Sequence, residues 1–256
     1  MRIEMPYEAE WIIDNIRSHG YEAFIVGGCV RDAVLGRIPG DWDITTSAKP
    51  EQVKEIFGKT VDTGLKHGTV TIIKHGSGYE VTTYRIDGEY LDGRHPETVE
   101  FTPDLREDLK RRDFTINALA VCLNKGRFGE LVDPFGGMND LKEKIIRTPL
   151  DPDITFSDDP LRMMRCIRFA TQLNFYIDDD TFESLCRNRE RIEIISRERI
   201  ADELNKIMLS PIPSKGFIDL DRSGLLELIF PELVALQGVE TRNGRAHKDN
   251  FYHTLE

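Results

Sequence analysis

Apolar and polar positions along the first 150 residues recur at spacings that predict short helices alternating with strands. Trp11 and Ile16 lie on the apolar face of a predicted helix over residues 7–19. A run of apolar residues over 23–26 predicts a buried strand, which a glycine pair joins to a helix ending near Gly36. The same reasoning predicts strands over residues 43–46, 70–74 and 79–85 (the last two joined by a Gly-Ser-Gly turn), helices over residues 50–57 and 104–123, and a polar loop over residues 86–103.

The pattern changes near residues 148–153, where Pro149 and Pro152 interrupt it. Beyond this point the spacing of apolar residues predicts helices and no strand. These helices are expected over residues 157–173, 179–187, 196–209 and 214–228. The sequence therefore predicts an α/β (α+β) domain, with a small mixed sheet flanked by helices, followed by an all-α region.

The composition suits a protein with a folded core, since the 256 residues are 39% hydrophobic and 31% charged. No apolar stretch is long enough to cross a bilayer, so we expect no membrane partner. The four cysteines stand singly, without metal-ligand spacing, which favours free thiols in the cytoplasm. The sequence indicates no particular oligomeric state.

The net charge of −11 argues at first against a nucleic-acid partner. Basic residues nevertheless cluster at residues 110–112 and again between Arg162 and Arg168. Because a local basic patch can bind phosphate on an acidic protein, the overall charge leaves nucleic-acid binding open.

Gly27 and Gly28, between the first strand and the following helix, form a candidate phosphate site. Glycine permits a positive φ and a close approach of the backbone, and the helix N-terminus offers free N–H groups. Arg31, one turn into the helix, would add a guanidinium group to the same phosphates. Taken alone, the glycine pair is equally compatible with an ordinary strand-to-helix turn.

Asp41 and Asp43 form a candidate metal site. Residues two apart on a strand share a face, so the two carboxylates could hold one or two Mg²⁺ ions. Such ions activate an attacking hydroxyl and stabilise a leaving pyrophosphate. Glu80, in the strand predicted over residues 79–85, is the candidate third carboxylate. A solvated acidic turn at Asp41 and Asp43, and a plain surface role for Glu80, remain the alternatives.

Five segments, taken in order, resemble the polymerase-β-like nucleotidyltransferase superfamily and, within it, the bacterial-type (class II) tRNA nucleotidyltransferase and poly(A) polymerase family. The first is Gly27-Gly28-x-x-Arg31-Asp32 followed by Asp41-x-Asp43. The others are Arg111-Arg112-Asp113-Phe-Thr-Ile-Asn117-Ala, Asp133-Pro-Phe-Gly136-Gly137-Met-x-Asp140-Leu, Asp158-Asp159-Pro-Leu-Arg162-Met-Met-Arg165 and Ile195-Ser-Arg-Glu198-Arg199-Ile. In one position the chain departs from the family, which usually has Glu in place of Asp158.

This resemblance implies a catalytic nucleotidyltransferase head over residues 1–150, a helical neck that reads the nucleotide base over residues 151–212, and the start of a helical body or HD-like domain over residues 213–256. It also implies roles for matching positions. Asp41 and Asp43 would be catalytic and would bind Mg²⁺, and Glu80, the candidate third carboxylate named above, would complete the catalytic set. The nucleotide would contact Gly27, Gly28, Arg31, Arg112, Asp113, Asn117, Asp159, Arg162, Arg165 and Arg168.

Asp159 and Arg162 also predict base selection from their chemistry. They stand three apart at a helix start and therefore share a face, with Arg165 and Arg168 continuing it toward the triphosphate. A carboxylate accepts hydrogen bonds and a guanidinium donates them. Adenine and cytosine present an amino donor beside an unprotonated ring nitrogen, whereas guanine and uracil present the reverse. One Asp–Arg pair can thus accept ATP and CTP and reject GTP and UTP. A surface ion pair is the alternative.

Two further segments add to the resemblance. Residues 85–94 are similar to the family's flexible loop, whose presence disfavours an enzyme that adds only CC. His247 and His253 resemble the opening of an HD phosphohydrolase-type domain. Because the other HD ligands would lie beyond residue 256, we expect no assembled metal site there, and we expect the chain to be a piece of a longer protein.

The predicted function is template-independent addition of CMP and AMP to the 3′ end of tRNA, from CTP and ATP with Mg²⁺, with release of pyrophosphate. Addition of A alone to tRNA and polyadenylation of other RNAs remain alternatives within the same class. A catalytically idle module that binds RNA or nucleotides is the alternative from a different class.

Overall fold

The structure is a computed structural model that describes residues 5–88, 98–122, 129–238 and 249–255, together with the backbone of residues 241–242 and 245–246. The described chain divides into two compact units, the first ending at Glu143 and the second beginning at Lys144. The division into head, neck and body at residues 150 and 212 stays a prediction.

Within the described residues of the first unit, seven strands form one mixed sheet in the order β3-β4-β5-β2-β1-β8-β9. Neighbouring strands are antiparallel except for β2 and β5, which are parallel. A separate antiparallel pair is formed by β6 and β7. The strands are β1 Ala23–Val26, β2 Ile44–Thr46, β3 Thr60–Gly64, β4 Thr69–Lys74, β5 Ser77–Thr83, β6 Arg85–Asp87, β7 Val99–Phe101, β8 Ala120–Cys122 and β9 Glu130–Val132.

Helices cover the apolar face of this sheet. The buried side chains Ala9, Ile12, Ile13 and Ile16 of α1 recur at helical spacing, and α1 packs against β1 and β2. The helices of the unit are α1 Tyr7–Ser18, α2 Gly28–Val34, α3 Pro50–Ile56, α4 Leu105–Lys110 and α5 Gly137–Glu143, with 3₁₀ turns at Leu65–His67 and Thr115–Asn117.

The sequence-based assignment is wrong in the middle of this unit. The helix predicted over residues 104–123 ends at Lys110, and Ala120–Cys122 is instead strand β8, paired with β1. This strand is buried on both faces, so its apolar run lacks the alternation that marks a half-buried strand. Val99–Phe101, predicted as loop, pairs with Arg85–Asp87.

Two smaller differences concern the strands at the edge of the sheet. The hairpin between β4 and β5 turns at His75 and Gly76, whose φ angles are 49° and 85°, rather than through a Gly-Ser-Gly turn. Two residues with positive φ form the tight turn that suits the twist of a hairpin. Strand β3 was not predicted, because its side chains are mostly exposed and give no apolar period.

The second unit is mainly helical, with α7 at its centre. Helix α7 packs against α9 and α10 and buries ten of its thirteen residues. Its elements are β10 Ile145–Ile146, α6 Pro152–Asp158, α7 Leu161–Leu173, β11 Tyr176–Ile177, α8 Asp179–Asn188, α9 Arg197–Met208, α10 Pro213–Arg222, α11 Leu225–Ile229, α12 Pro231–Val234, β12 Thr241–Arg242, β13 Arg245–Ala246 and α13 Asn250–Leu255, with a 3₁₀ helix at Arg189–Ile194.

The predicted fold class is confirmed: a mixed sheet flanked by helices precedes a helical region. The expectation of no strand in the second region is wrong in detail, since β10 and β11 form a short parallel pair. Two residues per strand are too few to produce a readable alternation. Among the described residues, no helix has the length and apolar content that crossing a membrane requires.

Candidate active site

The register of β2 and β5 brings two of the predicted catalytic carboxylates together. Ile44 pairs with Val81 in parallel strands, so the preceding residues, Asp43 and Glu80, lie side by side on the same face of the sheet. Asp41 lies two residues before Asp43 in the segment that enters β2. All three side chains line one groove with a volume of about 1360 Å³.

The pKa values of Asp43 and Glu80 are raised in this groove. Both Asp43 and Glu80 reach solvent, yet the surrounding protein withdraws part of their water, and this desolvation is the main reason that their pKa values lie above the usual range. The charge of Asp41 adds to the effect on both groups, while Arg112 opposes it at Asp43. A bound cation would relieve this crowding of negative charge.

The buried thiol of Cys29 lies next to the same carboxylates. Its burial, reinforced by the charge of Asp43, raises its pKa to about 11. The thiol is therefore neutral at physiological pH, and we assign it a packing role.

Gly27 occupies a position that another residue would block. Its φ is 82°, which L-residues rarely adopt, and a Cβ atom at this position would lie 2.9 Å from Nη1 of Arg112. The guanidinium of Arg112 therefore packs directly over the backbone of the glycine turn. The predicted phosphate-binding groups Gly27 and Arg112, far apart in sequence, are brought together.

Arg31, Asn117 and Asp113 form a continuous buried network. The Arg31 guanidinium donates through Nη1 to Oδ1 of Asn117 at 2.7 Å, and the Asn117 amide donates to Oδ1 of Asp113 at 3.0 Å. Asp32 holds the other edge of the guanidinium through two hydrogen bonds of 2.9 and 3.0 Å. A bidentate carboxylate fixes the guanidinium plane, so Asp32 orients Arg31. Asp32 belongs to the first sequence motif, but its role in orienting Arg31 was not predicted from the sequence.

Asp108 is a buried site residue that sequence reasoning missed. It is fully buried, accepts hydrogen bonds from Arg111 at 2.8 and 3.0 Å and from Oγ1 of Thr45 at 3.1 Å, and lies 3.6 Å from Arg112. Burial alone would raise its pKa, but the two guanidinium groups and these hydrogen bonds bring the pKa below its usual value. The i,i+3 and i,i+4 spacing of Asp108 to Arg111 and Arg112 was the sequence pattern that could have indicated these ion pairs.

The donor set around the groove fits a hard divalent cation. Mg²⁺ prefers carboxylate oxygens and is commonly held by one or two carboxylates together with substrate phosphates. Asp41 and Asp43 supply such oxygens at the groove wall. A cluster of three or more His, Cys, Asp and Glu side chains at metal-binding spacing does not occur in the described part of the chain.

Asp159, in the second unit, caps a helix and pairs with a residue that had not been predicted. Its Oδ1 accepts a hydrogen bond from the backbone N–H of Leu161 at 3.1 Å, and its Oδ2 lies 3.5 Å from Nη2 of Arg199. Arg162 lies on the first turn of α7, one turn after Asp159, and is half-buried. Asp159 thus contacts Arg199 of α9, and the backbone N–H of Arg162 donates to its carbonyl oxygen.

Arg165 and Arg168, the other two predicted residues of α7, differ in their surroundings. The Arg165 guanidinium lies 5.5 Å from the centre of the Phe169 ring and is half-buried. Arg168 is buried, bonded to Glu203 at 2.5 Å and to Gln172 at 3.0 Å, and stacks on Phe169 at 3.9 Å. Although burial would raise the pKa of Glu203, these cations bring it below its usual value. The Arg168–Glu203 pair joins α7 to α9, and a nucleotide-binding role for Arg168 stays a prediction.

Two predicted features fall outside the described residues. The predicted flexible loop over residues 85–94 is described only as far as residue 88, and His247 also lies outside. The predictions on the loop and on the HD-like segment therefore stay predictions.

Two protein families match the chain. The family described as "Poly A polymerase head domain" matches residues 23–147, which include the three carboxylates, the glycine turn and Asn117. The family described as "Probable RNA and SrmB- binding site of polymerase A" matches residues 174–236.

Curated relatives and solved structures agree with these matches. The chain is 46% identical over 218 residues to a CCA-adding enzyme of Geobacillus thermodenitrificans, covering 85% of the chain and 53% of that protein. It is 48% identical over 213 residues to a CCA-adding enzyme of Ligilactobacillus salivarius, covering 82% and 52%. The chain thus spans about half the length of the curated relatives it matches.

Two solved structures resemble the fold over most of the chain. A Bacillus stearothermophilus CCA-adding enzyme in complex with CTP superposes with a TM-score of 0.79 at 42% identity, covering 87% of this chain and 53% of that one. A Thermotoga maritima CCA-adding enzyme complexed with tRNA-CCA superposes with a TM-score of 0.73 at 28% identity, covering 92% and 53%.

Proposed function

We propose, because the chain belongs to the tRNA nucleotidyltransferase and poly(A) polymerase family, that it adds CMP and AMP to the 3′ end of tRNA from CTP and ATP and releases pyrophosphate. The observation that carries this proposal is the meeting of Asp41, Asp43 and Glu80 at one groove, beside a glycine turn over which Arg112 packs. A tRNA substrate implies a cytoplasmic protein.

The glycine turn and its arginines are suited to the triphosphate. The backbone at Gly27 and Gly28 lacks Cβ atoms, so phosphate oxygens can approach it closely. Arg31 is held in one orientation by Asp32 and Asn117, and Arg112 is held near Asp108. Guanidinium groups that are already oriented stabilise phosphate charge without reorganising during the reaction.

The reaction joins RNA to the nucleotide at the α-phosphate. The oxygen of the terminal 3′-hydroxyl forms a bond to the α-phosphorus, the bond from that phosphorus to the bridging oxygen of pyrophosphate breaks, and pyrophosphate leaves with its electron pair. The proton of the hydroxyl passes to Glu80 or to water. A carboxylate whose pKa lies above its usual range is a better proton acceptor than an unperturbed one.

Members of this family generally use a divalent metal ion, and we propose that Asp41 and Asp43 hold Mg²⁺. When bound, the ion would lower the pKa of the attacking hydroxyl and balance the charge that develops on the phosphates. The remaining carboxylate, Glu80, would orient the ligands and accept the proton.

Base selection is assigned to Asp159 and Arg162 of the second unit, with Arg199 orienting Asp159. The carboxylate accepts from the exocyclic amino group of cytosine or adenine, and the guanidinium donates to the adjacent ring nitrogen. Guanine and uracil reverse this pattern and would leave buried polar groups unpaired.

Extension assays with three tRNAs test the proposal. tRNAs ending before CCA, after C and after CC are each offered CTP, ATP, GTP or UTP with Mg²⁺, and pyrophosphate release is measured. We expect C to be added to the first two and A to the third. Extension of the CC-ending tRNA alone would replace the proposal with A-only addition.

A matched variant separates chemistry from binding. Asp41→Ala should abolish incorporation while leaving the far-ultraviolet circular dichroism spectrum unchanged. Asp62→Ala serves as the control and should retain activity, because Asp62 is exposed on β3 and does not line the groove. Full activity of the Asp41→Ala variant would refute the assignment of Asp41 as a metal ligand.

A further inference from the structure

The groove beside the carboxylates continues past them along the sheet. Strands β1, β2, β5, β4 and β3 are neighbours in that order. Gly27 follows β1, Asp43 precedes β2, Glu80 lies in β5, Thr71 in β4 and Thr63 in β3. The carboxylates therefore lie between the glycine turn on one side and two threonines on the other.

Thr63 is exposed and Thr71 is largely buried, and both carry hydroxyl groups on this continuation. Thr71 pairs with Glu80, so the two side chains are neighbours on one face of the sheet. The Oγ1 atoms of Thr71 and Thr63 lie 2.7 Å apart, and both residues line the groove. Since β3 is two strand spacings from β5, the hydroxyl pair extends the polar surface by about 10 Å beyond Glu80.

Arg37 supplies the positive charge of the same groove. It lines the groove just after α2, its side chain is exposed, and no ion pair with the described residues engages its guanidinium. A free guanidinium beside a row of hydroxyls is suited to a sugar-phosphate chain, which offers charged oxygens and hydroxyl groups.

The groove is larger than one small ligand requires. Its volume of about 1360 Å³ exceeds the range of about 300–1,000 Å³ that is usual for small-molecule sites. The glycine turn and Arg112 are not among its lining residues, so this space lies outside the predicted triphosphate site.

The strand order indicates on which side each reactant lies. Arg112 packs over Gly27, which follows β1 on one side of β2, whereas Glu80 lies in β5 on the other side. The triphosphate groups belong with Arg112 and Gly27, beyond Asp43. Because the attacking and leaving oxygens are roughly in line, the attacking hydroxyl must approach from the opposite side, where Glu80, Thr71 and Thr63 lie.

We propose that Thr63, Thr71 and Arg37 bind the sugar-phosphate backbone of the last nucleotides of the RNA that is extended. This site deepens the proposed function and rests on it, since it assigns the RNA strand to a defined part of the catalytic groove. The exposed hydroxyl of Thr63 contacts the ribose and phosphate oxygens, Thr71 holds that hydroxyl in place through their hydrogen bond, and Arg37 pairs with one phosphate.

Binding of RNA without nucleotide tests this site directly. The probe is a fluorescein-labelled RNA minihelix ending in CC, followed by anisotropy at several salt concentrations. The variants are Arg37→Gln, Thr63→Val and Thr71→Val, in which valine keeps the branched shape that suits a strand. Lys142→Gln, exposed on α5, and Thr60→Val, on β3 but paired with the buried Ile72, are the controls.

Arg37→Gln should raise the Kd for RNA about fivefold to tenfold, and the slope of log Kd against log salt should fall by about 0.7, the loss of one phosphate contact. Each valine variant should raise the Kd about threefold, as expected for one lost hydrogen bond. The KM for CTP should change less than twofold, and the controls should bind like the unmodified protein.

Two outcomes would overturn the site. If all three variants bind RNA like the unmodified protein, the proposed RNA site is refuted. If RNA binding is unchanged and the KM for CTP rises, the groove binds the nucleotide instead. Failure of the proposed function is distinguishable, because it appears as an unmodified protein that does not extend RNA. An unmodified protein that extends RNA, with variants that bind RNA equally well, would refute the site alone.

Discussion

Glu80 lies beside Asp43 because Val81 pairs with Ile44 in the parallel strands β5 and β2. The sheet is otherwise antiparallel, so this junction is the place where two strands enter side by side from the same end. The register aligns Glu80, in the middle of β5, with Asp43, which immediately precedes β2, so the two acidic residues meet at the start of β2. The third carboxylate of the site thus follows from one feature of the topology.

The crowding of Glu80 and Asp43 predicts a stabilising variant. The folded-state pKa of Glu80 lies above its unfolded value. The native protein therefore holds this proton to higher pH than the unfolded chain does, and stability falls as pH rises through the interval between the two pKa values. Glu80→Gln removes this effect.

We expect Glu80→Gln to raise the Tm of the metal-free protein at pH 7, and the gain should vanish when the pH falls below the usual carboxylate pKa of about 4.3. Mg²⁺ should raise the Tm of the unmodified protein more than that of the variant. Glu55→Gln, exposed on α3, is the control for loss of a charge. Thermal unfolding with and without Mg²⁺ measures both effects, and a lower Tm for Glu80→Gln at pH 7 would contradict the prediction.

Gly27→Ala should impair both stability and nucleotide binding. The positive φ disfavours any other residue, and the added Cβ would push Arg112 from its position. We expect a loss of about 1–3 kcal/mol in the free energy of unfolding and a several-fold higher KM for CTP. Gly58→Ala, where the added Cβ meets open space, is the control. Urea unfolding and steady-state kinetics measure the two effects, and a KM equal to that of the Gly58→Ala variant would argue against the phosphate role of Arg112.

Asp108→Asn should destabilise the first unit and disturb Arg112. Removing one partner of a buried ion pair typically costs about 3–5 kcal/mol, and Asp108 is fully buried between two arginines. Its folded-state pKa lies below the unfolded value of about 3.9. The stabilisation is therefore complete above that value and is lost as pH falls through the folded-state pKa.

The unmodified protein and the Asp108→Asn variant should differ in their free energy of unfolding at pH 7. This difference should disappear in acid. Asp62→Asn removes an exposed ion pair with Lys54 and should cost at most about 1 kcal/mol. Unfolding by urea at a series of pH values gives the comparison. Equal losses for Asp108→Asn and Asp62→Asn would show that Asp108 does not act as a buried anchor for the arginines.

Asp159→Asn should relax the choice among nucleotides. Asparagine can still accept the hydrogen bond of the Leu161 N–H, so the helix cap is retained. Its amide also offers a donor to the base, so the preference for CTP over UTP and for ATP over GTP should fall at least about tenfold. Asp202→Asn, exposed on α9, is the control. The ratio of kcat/KM values for the competing nucleotides measures discrimination, and an unchanged ratio would refute the base-reading role.

The parts of this protein whose signal is local can be assigned from the amino-acid sequence. The strand over residues 23–26, the glycine turn and the Asp-x-Asp segment could be assigned because apolar period, glycine and paired carboxylates act within a few residues. The family could be recognised because its motifs keep their order and spacing. Leu161, Met164 and Ile167 of the helix predicted over residues 157–173 are buried, since helical spacing brings these side chains to one face.

Which distant residues meet depends on the fold, and local sequence patterns do not contain this information. Strand order and register determine three contacts that local spacing does not predict. These are the pairing of Asp43 with Glu80, the packing of Arg112 over Gly27 and the burial of Asp108 beneath two arginines. Strand β8 was assigned to a helix for the same reason, because a strand covered on both faces has no alternation to read. Local chemistry named most of the site residues, and long-range pairing determined how they act together.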